Sequence, residues 1–302
     1  MTTNPPYLQK GDTIGLVCPA GYMSPDKAQT CIATLGEWGY NVKTGSTLGR
    51  EAVNYFSGTD EERASDLQQM LDDDQVRAIL CARGGYGISR IIDRLDFSRF
   101  MENPKWVIGY SDITVLLSHL YRRYKITSLH APMASAFNDG GADNEYVQSL
   151  KDAIEGKKIR YTIGPHPMNR KGEAIGELIG GNLSMLSHLL GSNSEPKTKG
   201  RILFIEDIGE YYYKIDRMLL QLKRAGKLES LAGLIIGAFT DMQDTTLPFG
   251  QGIDDLIFDK VKEYDYPVCF GFPVGHQANN YALKVGAGFK LKVGKSKSVL
   301  EE

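Results

Sequence analysis

The chain has 302 residues, of which 42% are hydrophobic and 24% charged, and its formal net charge is −2. This composition is typical of a globular protein, and a near-neutral charge argues against a nucleic-acid-binding or membrane-surface protein. The length predicts two domains. The first residues contain no apolar signal-peptide core and no apolar run is long enough to span a membrane, so we expect a cytoplasmic protein.

Cysteine and histidine spacing argues against a metal site. The four cysteines include no C-x-x-C pair, and the five histidines show no H-x-x-x-H or H-E-x-x-H spacing. Zinc sites and disulfide frameworks usually show such regular spacings. A G-x-x-x-x-G-K-[ST] phosphate loop is also missing from the sequence, so we expect neither a metal nor a cofactor.

The first half of the chain alternates strand and helix patterns. Ser24 and Pro25 predict one helix start, and Thr59 with Glu62 predicts a capping box at another. This alternation is typical of a parallel sheet with helices on both faces. The predicted elements are strand 13–20, helix 24–40, strand 41–45, helix 58–73, strand 76–82, a helix to about residue 95 and strand 106–108.

The sequence composition changes around residues 138–158, where a polar, glycine-bearing loop precedes a helix. We place a domain boundary there and predict domains 1–155 and 156–302. The fold class is predicted to be α/β, with an N-terminal Rossmann-like parallel-sheet domain and a second, smaller α/β domain rich in β-strands. Its predicted elements are strand 201–207, helix 213–226, strand 231–239, a helix from about residue 254, and a hairpin or two short strands within 279–293.

The stretch "WVIGYSDITVLLSHLY" places Ser111 on a corner between a strand and a helix. Trp106–Ile108 is apolar and strand-like, and apolar residues recur at helical spacing from Ile113. A nucleophile held at such a corner has backbone N–H groups beside it. Serine is also a preferred helix N-cap, so a purely structural role remains the alternative.

A second corner, "ARGGYG", follows strand 76–82. Its glycines permit a tight turn with Arg83 in solvent, which is the structural interpretation. In the functional interpretation, successive backbone N–H groups form a concavity that binds an anion. Both corners lie at the carboxyl ends of predicted parallel strands, where ligands bind in open α/β sheets.

A serine nucleophile needs a base and an orienting acid. His276, which follows the buried run "CFGFPVG", is the first candidate for the base. His130, which ends the run "ITSLH", is the second candidate. The other histidines fall in helical runs or an exposed loop, at positions 119, 188 and 166. Glu206 and Asp207 end the strand "RILFI", and Asp207 or Glu210 could instead serve the start of the following helix.

Five ordered motifs, "RGGYG", "IGYSDIT", "GGNLSML", "ILFIEDIGEYYYKIDRMLLQL" and "GFPVGH", span nearly the whole chain. With them the sequence resembles the LD-carboxypeptidases, a serine peptidase family that also holds the microcin-immunity peptidases. The resemblance implies a triad of Ser111 as nucleophile, Glu206 as acid and His276 as base. It implies an oxyanion hole made by the backbone N–H groups of Asp112 and Gly85.

The resemblance also implies a substrate and a setting. Matching motifs assign Arg83, Gly84 and Asn182 to substrate binding. Members of the family remove the terminal D-alanine from murein tetrapeptides during cytoplasmic recycling of cell-wall fragments, and they are often homodimers. We therefore expect a murein peptide as the partner, with no nucleic acid and no membrane.

Three alternatives remain at this point. An immunity-type peptidase that cleaves a peptidyl-nucleotide antibiotic should offer an aromatic platform, and 191–200 has no aromatic residue, although Tyr211–Tyr213 could supply one. A general ester hydrolase should carry G-x-S-x-G, but Ile113 replaces the last glycine. A non-catalytic two-lobe binding module would have no reason to activate Ser111.

Overall fold

A computed structural model describes residues 2–50 and 55–302. The chain divides into two compact units. Unit 1 comprises Met1–Lys157 and Tyr281–Lys284, and unit 2 comprises Lys158–Asn280 and Val285–Glu302. The division of labour between a nucleophile-bearing domain 1–155 and a domain 156–302 stays a prediction. The predicted domains are contiguous, whereas the structure assigns the short segment Tyr281–Lys284 to unit 1.

The strands carry the apolar runs of the sequence, and most of their residues are buried. They are β1 Thr13–Val17, β2 Asn41–Thr44, β3 Val76–Cys81, β4 Trp106–Ile108, β5 Ser128–His130, β6 Arg160–Ile163, β7 Gly172–Asn182, β8 Ile202–Ile208, β9 Gly233–Thr240, β10 Val268–Cys269, β11 Leu283–Val285, β12 Gly288–Val293 and β13 Ser298–Glu301.

The α-helices are α1 Pro25–Glu37, α2 Asp60–Asp72, α3 Ile88–Ile91, α4 Ser98–Glu102, α5 Thr114–His119, α6 Glu145–Ile154, α7 Leu183–His188, α8 Tyr212–Arg224 and α9 Ile253–Val261. Helices α1, α2, α8 and α9 begin close to their predicted starts, whereas the short helices α4 and α7 are additional to the predicted elements. The capping box of Thr59 and Glu62 is present at α2. Ser24 is the N-cap residue of α1, but its side chain makes no capping hydrogen bond.

Unit 1 is built on a sheet with the strand order β11-β5-β4-β3-β1-β2. The neighbours from β5 to β2 pair in parallel. The order 2-1-3-4-5 is the flavodoxin-like form of a doubly wound sheet, in which sites gather beyond the carboxyl ends of the strands. Ser111 follows β4, and the turn 83–87 follows β3, so the two predicted corners leave neighbouring strands at the same edge.

Unit 2 contains a mixed sheet with the order β10-β9-β8-β7-β12-β13-β6. Strands β7 to β10 pair in parallel, and β12 pairs antiparallel with β7 and β13. The strand-rich second domain predicted from the sequence is confirmed. The hairpin considered for 279–293 is wrong, because β11 lies in the six-stranded sheet and β12 in the seven-stranded one; two separate short strands form instead.

The four cysteines are buried and free. Burial raises the pKa of Cys18 and Cys31 to about 12, so both thiols stay protonated at neutral pH and act as small apolar side chains. In the described part of the chain, no helix combines the length and apolar character needed to cross a membrane.

Candidate active site

Ser111 occupies a strained backbone corner. Its φ is +64°, in the left-handed region that non-glycine residues rarely adopt. The residue before the short 3₁₀ turn Ser111–Ile113 is Tyr110, and its side chain makes no capping bond. Ser111 is therefore not the N-cap of this turn, and the following helix α5 begins only at Thr114. Such a corner between strand and helix holds nucleophilic serines in other α/β folds.

The turn 83–87 packs directly against this corner. A Cβ added at Gly84 would lie 2.8 Å from Ser111 Cβ and 3.0 Å from its Oγ. The buried carboxylate of Asp112 accepts a hydrogen bond from the backbone N–H of Ile88 at 2.9 Å. Asp112 therefore ties the serine corner to the residue that follows the turn, and a side chain at position 84 would have to displace Ser111.

Two contacts fix the start of the turn. The backbone N–H of Gly21 donates to Gly84 O at 2.9 Å, and the Arg83 guanidinium donates to Tyr22 O at 2.7 Å. Gly85 is exposed, with φ at +95°, a conformation that favours glycine. The predicted oxyanion contacts of Asp112 and Gly85, and the predicted substrate contacts of Arg83 and Gly84, stay predictions.

The predicted base and acid form a close pair in unit 2. His276 Nδ1 lies 2.6 Å from Glu206 Oε2. The Glu206 side chain is fully buried, and that of His276 is 13% exposed. A carboxylate in this position fixes one tautomer of the imidazole and leaves Nε2 as the acceptor. This is the arrangement that a catalytic histidine and its orienting acid require.

A bulge in β9 gives Glu206 and His276 room to meet. Ile205 pairs with Ile236 and Asp207 with Phe239, so two residues of β9 stand opposite Glu206. Bulges of this kind redirect backbone groups beside active sites. The extra residue turns the Ala238 N–H to Val274 O, at 2.9 Å. The segment before His276 is thereby hydrogen-bonded to β9, where Phe272 N also donates to Ile236 O at 3.0 Å.

Two glycines that sequence reasoning missed make this packing possible. A Cβ at Gly275 would lie 2.6 Å from Glu206 Cβ and Oε2, and one at Gly237 would lie 2.6 Å from Val274. Gly275 also has φ at +107°. The sequence signal was available for one of them, since an isolated glycine inside a strand pattern indicates a bulge or a close approach.

Asp207, the neighbour of Glu206, has a structural role on the other face of β8. Its carboxylate accepts hydrogen bonds from Asn182 Nδ2 at 2.9 Å and from the N–H and hydroxyl of Ser184 at 2.9 and 2.7 Å. It therefore supports the start of α7, and the prediction that it could serve the following helix is wrong. Burial raises the pKa of Asp207. Glu210 pairs instead with Lys214 at 3.2 Å.

Asn182 is occupied at both ends of its amide. Besides its bond to Asp207, its Oδ1 accepts from Met185 N at 3.2 Å, which makes Asn182 the N-cap of α7. The side chain is buried, with 5% exposure. Its assignment to substrate binding stays a prediction, and these contacts give Asn182 a structural role within the motif "GGNLSML".

The other histidines lie in different environments. His130 is fully buried, and its ring lies 5.6 Å from that of Tyr110. His119 packs against Phe97, and burial lowers its pKa. His166 lies 3.4 Å from Asp254, and His188 is exposed on α7. Across residues 2–50 and 55–302, no group of three or more histidine, cysteine, aspartate or glutamate side chains could hold a metal ion.

Comparison with known families matches both halves of the chain. The LD-carboxypeptidase N-terminal domain matches residues 14–131, and the LD-carboxypeptidase C-terminal domain matches residues 175–291. The chain belongs to the LD-carboxypeptidase family. The first domain contains the Ser111 corner, and the second contains the Glu206–His276 pair.

Relatives of this LD-carboxypeptidase family member cover nearly its full length. A probable murein peptide carboxypeptidase of Bacillus subtilis is 37% identical, over 98% of this chain and 94% of its own length. A murein tetrapeptide carboxypeptidase of Pseudomonas aeruginosa is 28% identical, over 90% of this chain and 91% of its own. The muramoyltetrapeptide carboxypeptidase of Oxalobacter formigenes superposes with a TM-score of 0.87 at 29% identity, covering 96% and 98% of the two chains.

The microcin C7 self-immunity protein MccF shares the fold. One of its structures, in complex with glutamyl sulfamoyl guanosine, superposes with a TM-score of 0.87 and covers 99% of this chain and 98% of its own. The identity is 21%, so this likeness concerns the fold alone. The α/β architecture predicted from the sequence is confirmed by these neighbours.

Proposed function

We propose that this protein is a serine carboxypeptidase that removes the terminal D-alanine from murein tetrapeptides by hydrolysing an L,D-peptide bond. The observation that carries the proposal is the 2.6 Å contact between His276 Nδ1 and a fully buried Glu206. It occurs in a chain whose two halves match the two LD-carboxypeptidase domains. The names of the Bacillus and Pseudomonas relatives support a murein peptide as the substrate.

In the proposed acylation step, His276 Nε2 accepts the proton of the Ser111 hydroxyl. Ser111 Oγ then attacks the carbonyl carbon that precedes the terminal D-alanine, and a tetrahedral oxyanion forms. The C–N bond breaks as His276 returns the proton to the leaving amine. Water, deprotonated by the same histidine, hydrolyses the resulting ester and regenerates Ser111.

Glu206 stabilises the histidine cation in both steps. Its carboxylate is excluded from water, and in a low-dielectric environment the attraction between the carboxylate and a protonated imidazole is stronger than in solvent. Because the acceptor oxygen faces Nδ1, the basic nitrogen is Nε2. Glu206 thus orients the base and favours proton transfer from Ser111.

The oxyanion is proposed to receive hydrogen bonds from the backbone N–H groups of Asp112 and Gly85. Two observations support this assignment: Asp112 follows the strained Ser111, and the turn that contains Gly85 touches Ser111 through Gly84. Donors that are fixed before reaction stabilise developing charge without reorganisation. Arg83, at the start of the same turn, is proposed to contact the substrate.

The proposed cellular role is the recycling of cell-wall fragments in the cytoplasm, with the enzyme acting as a homodimer. This role derives from the family resemblance and from the murein substrates named for the relatives. The proposed enzyme uses no metal, no cofactor and no nucleic acid. Size-exclusion chromatography with light scattering tests the dimer.

The test is mass spectrometry of a purified murein tetrapeptide incubated with the protein. We expect loss of one alanine residue and release of free D-alanine, with no loss from the same peptide ending in L-alanine. Ser111→Ala serves as the matched control. A tetrapeptide that stays intact while a peptidyl-nucleotide conjugate is cleaved would overturn the proposal in favour of an immunity-type peptidase.

A further inference from the structure

A buried arginine, Arg63, is hydrogen-bonded to the last residue of the turn 83–87. Arg63 lies on α2 and has no solvent exposure. Its Nη1 donates to Pro19 O at 2.7 Å and to Gly87 O at 3.1 Å. The same guanidinium forms an ion pair with Asp60, one turn earlier on α2. Arg63 therefore links α2, the end of the β1 segment and the last residue of the turn.

The fit between Arg63 and the turn leaves no spare space. A Cβ added at Gly87 would lie 2.5 Å from Arg63 Nη1. The ring of Phe56 lies on another side of the guanidinium, 4.8 Å from Arg63 Cζ. The charge is thus enclosed by an aromatic ring, a carboxylate and two carbonyl groups, which fixes the position of the guanidinium.

The held carbonyl is close in sequence to the groups proposed for catalysis. Gly87 O is bound by Arg63, and the next N–H, that of Ile88, is bound by the Asp112 carboxylate. At the other end, Gly84 O is bound by Gly21 N. Gly85 lies between these anchors, so the direction of its N–H depends on whether both ends of the turn stay in place.

We propose that Arg63 is a positioning residue for the reaction: it holds the 83–87 turn so that the Gly85 N–H stays aimed at the oxyanion. The inference rests on the proposed function. A buried ion pair is weak evidence for stability as such, and the planar fork of arginine is what allows one group to bind two carbonyls and a carboxylate in fixed directions. Lysine carries the same charge but no fork.

The matched control is Lys105. It is also a buried cation of unit 1, with 2% exposure. Its ammonium donates to two backbone carbonyls, Met70 O at 3.2 Å and Asp73 O at 2.7 Å. Neither carbonyl belongs to the turn. Lys105→Met therefore removes a comparable buried cation without touching the proposed oxyanion donors.

The experiment compares Arg63→Lys, Arg63→Met and Lys105→Met with the unchanged protein. Hydrogen exchange of the 83–88 segment reports directly on the turn. For Arg63→Lys we expect exchange there to be faster by about tenfold or more, and kcat per fluorophosphonate-titrated site to fall roughly 10- to 100-fold with KM changed less than about threefold. Lys105→Met should leave both the exchange of this segment and kcat unchanged.

Each outcome bears on the proposal. Unchanged exchange in Arg63→Lys overturns it, as does faster exchange with an unchanged kcat, or an equal loss of kcat in Lys105→Met. If Arg63→Met does not fold, Arg63→Lys alone decides. If the unchanged protein fails to hydrolyse the tetrapeptide, the proposed function fails, and the exchange of the 83–88 segment still decides whether Arg63 holds the turn.

Discussion

At the scale of single residues, the chemistry of the site depends on backbone geometry as much as on side-chain type. Ser111 is identified as special by its φ of +64°, because a left-handed non-glycine residue carries strain that the surrounding structure must support. Asp207 shows the opposite case. It is buried like Glu206, but its carboxylate binds Asn182 and Ser184 at the start of α7 and the backbone N–H of Ile208.

The strain at Ser111 predicts a difference between two inactive variants. Ser111→Ala and Ser111→Gly should both lower turnover by roughly 10⁴-fold or more, because both remove the proposed nucleophile. Ser111→Gly should be the more stable of the two by about 1 kcal/mol, since glycine adopts the left-handed conformation without steric cost. Urea denaturation measures the stability difference. Retention of more than a tenth of the activity in either variant would remove Ser111 from the mechanism.

The two neighbouring carboxylates should respond differently to neutralisation. Glu206→Gln keeps the shape but removes the charge that is proposed to stabilise the histidine cation, so turnover should fall roughly 10²- to 10⁴-fold. Asp207→Asn should instead lower the free energy of unfolding by about 1–2 kcal/mol, because it weakens the bonds to Ser184 and Asn182. Steady-state kinetics and urea denaturation separate the two effects. If Asp207→Asn lost most of its turnover while Glu206→Gln stayed active, Asp207 would replace Glu206 as the proposed acid of the triad.

At the scale of elements, the turn 83–87 and the bulge in β9 shape the surroundings of Ser111 and Glu206, and strand and helix patterns do not describe either feature. The bulge inserts one residue opposite Glu206, and the turn places Gly84 against Ser111. Proline at position 85 is not a clean test of the oxyanion hole, since its φ of about −65° is incompatible with the observed +95° at Gly85. Gly84 offers a better probe because its backbone is not left-handed.

Gly84→Ala should lower turnover by about tenfold or more while the protein stays folded, because the added Cβ would lie 2.8 Å from Ser111 Cβ and must displace it. The matched control is Gly36→Ala on α1, where an added Cβ meets nothing within 4 Å. This control should keep full activity and gain about 0.5–1 kcal/mol of stability from the better helix former. Equal activity of the two variants would show that Gly84 imposes no constraint on Ser111.

At the scale of the whole molecule, stability is carried by two cores with buried ionic groups among the apolar side chains. Lys105 is the clearest case for a pH effect, since burial lowers its pKa to about 8. An unfolded lysine titrates near 10.4. Between these values the unfolded chain binds more protons than the folded one, so stability should rise with pH.

The predicted effect is a difference between two pH profiles of the free energy of unfolding, one for the unchanged protein and one for Lys105→Met. Relative to Lys105→Met, the free energy of unfolding of the unchanged protein should increase by about 1 kcal/mol per pH unit from pH 8 to 10. Below pH 8 the two curves should run parallel, because Lys105 is then protonated in both the folded and the unfolded protein. Urea midpoints at unit intervals measure this. Parallel curves throughout would show that Lys105 keeps an ordinary pKa in the folded state.

The local elements and the identity of the candidate residues follow from the amino-acid sequence alone. Apolar runs defined β1, β3, β4, β8 and β9, and the Thr59–Glu62 pair defined the start of α2, because these features depend on neighbours within a few residues. The motifs around Ser111, Glu206 and His276 carried the resemblance to the LD-carboxypeptidases, and both family domains match. Side chains alternate along a strand, so the adjacent Glu206 and Asp207 are expected on opposite faces of β8, and the family motif selects Glu206 as the acid.

The way in which these residues are held depends on contacts between distant parts of the chain. The left-handed φ of Ser111, the bulge opposite Glu206 and the clamp of Arg63 on Gly87 each depend on groups distant in the chain. The separation of β11 from β12 into different sheets depends on the same kind of contact. A sequence pattern records which residues favour strand, helix or turn, but not which distant partner satisfies their hydrogen bonds, and that long-range pairing is what sets the geometry of the site.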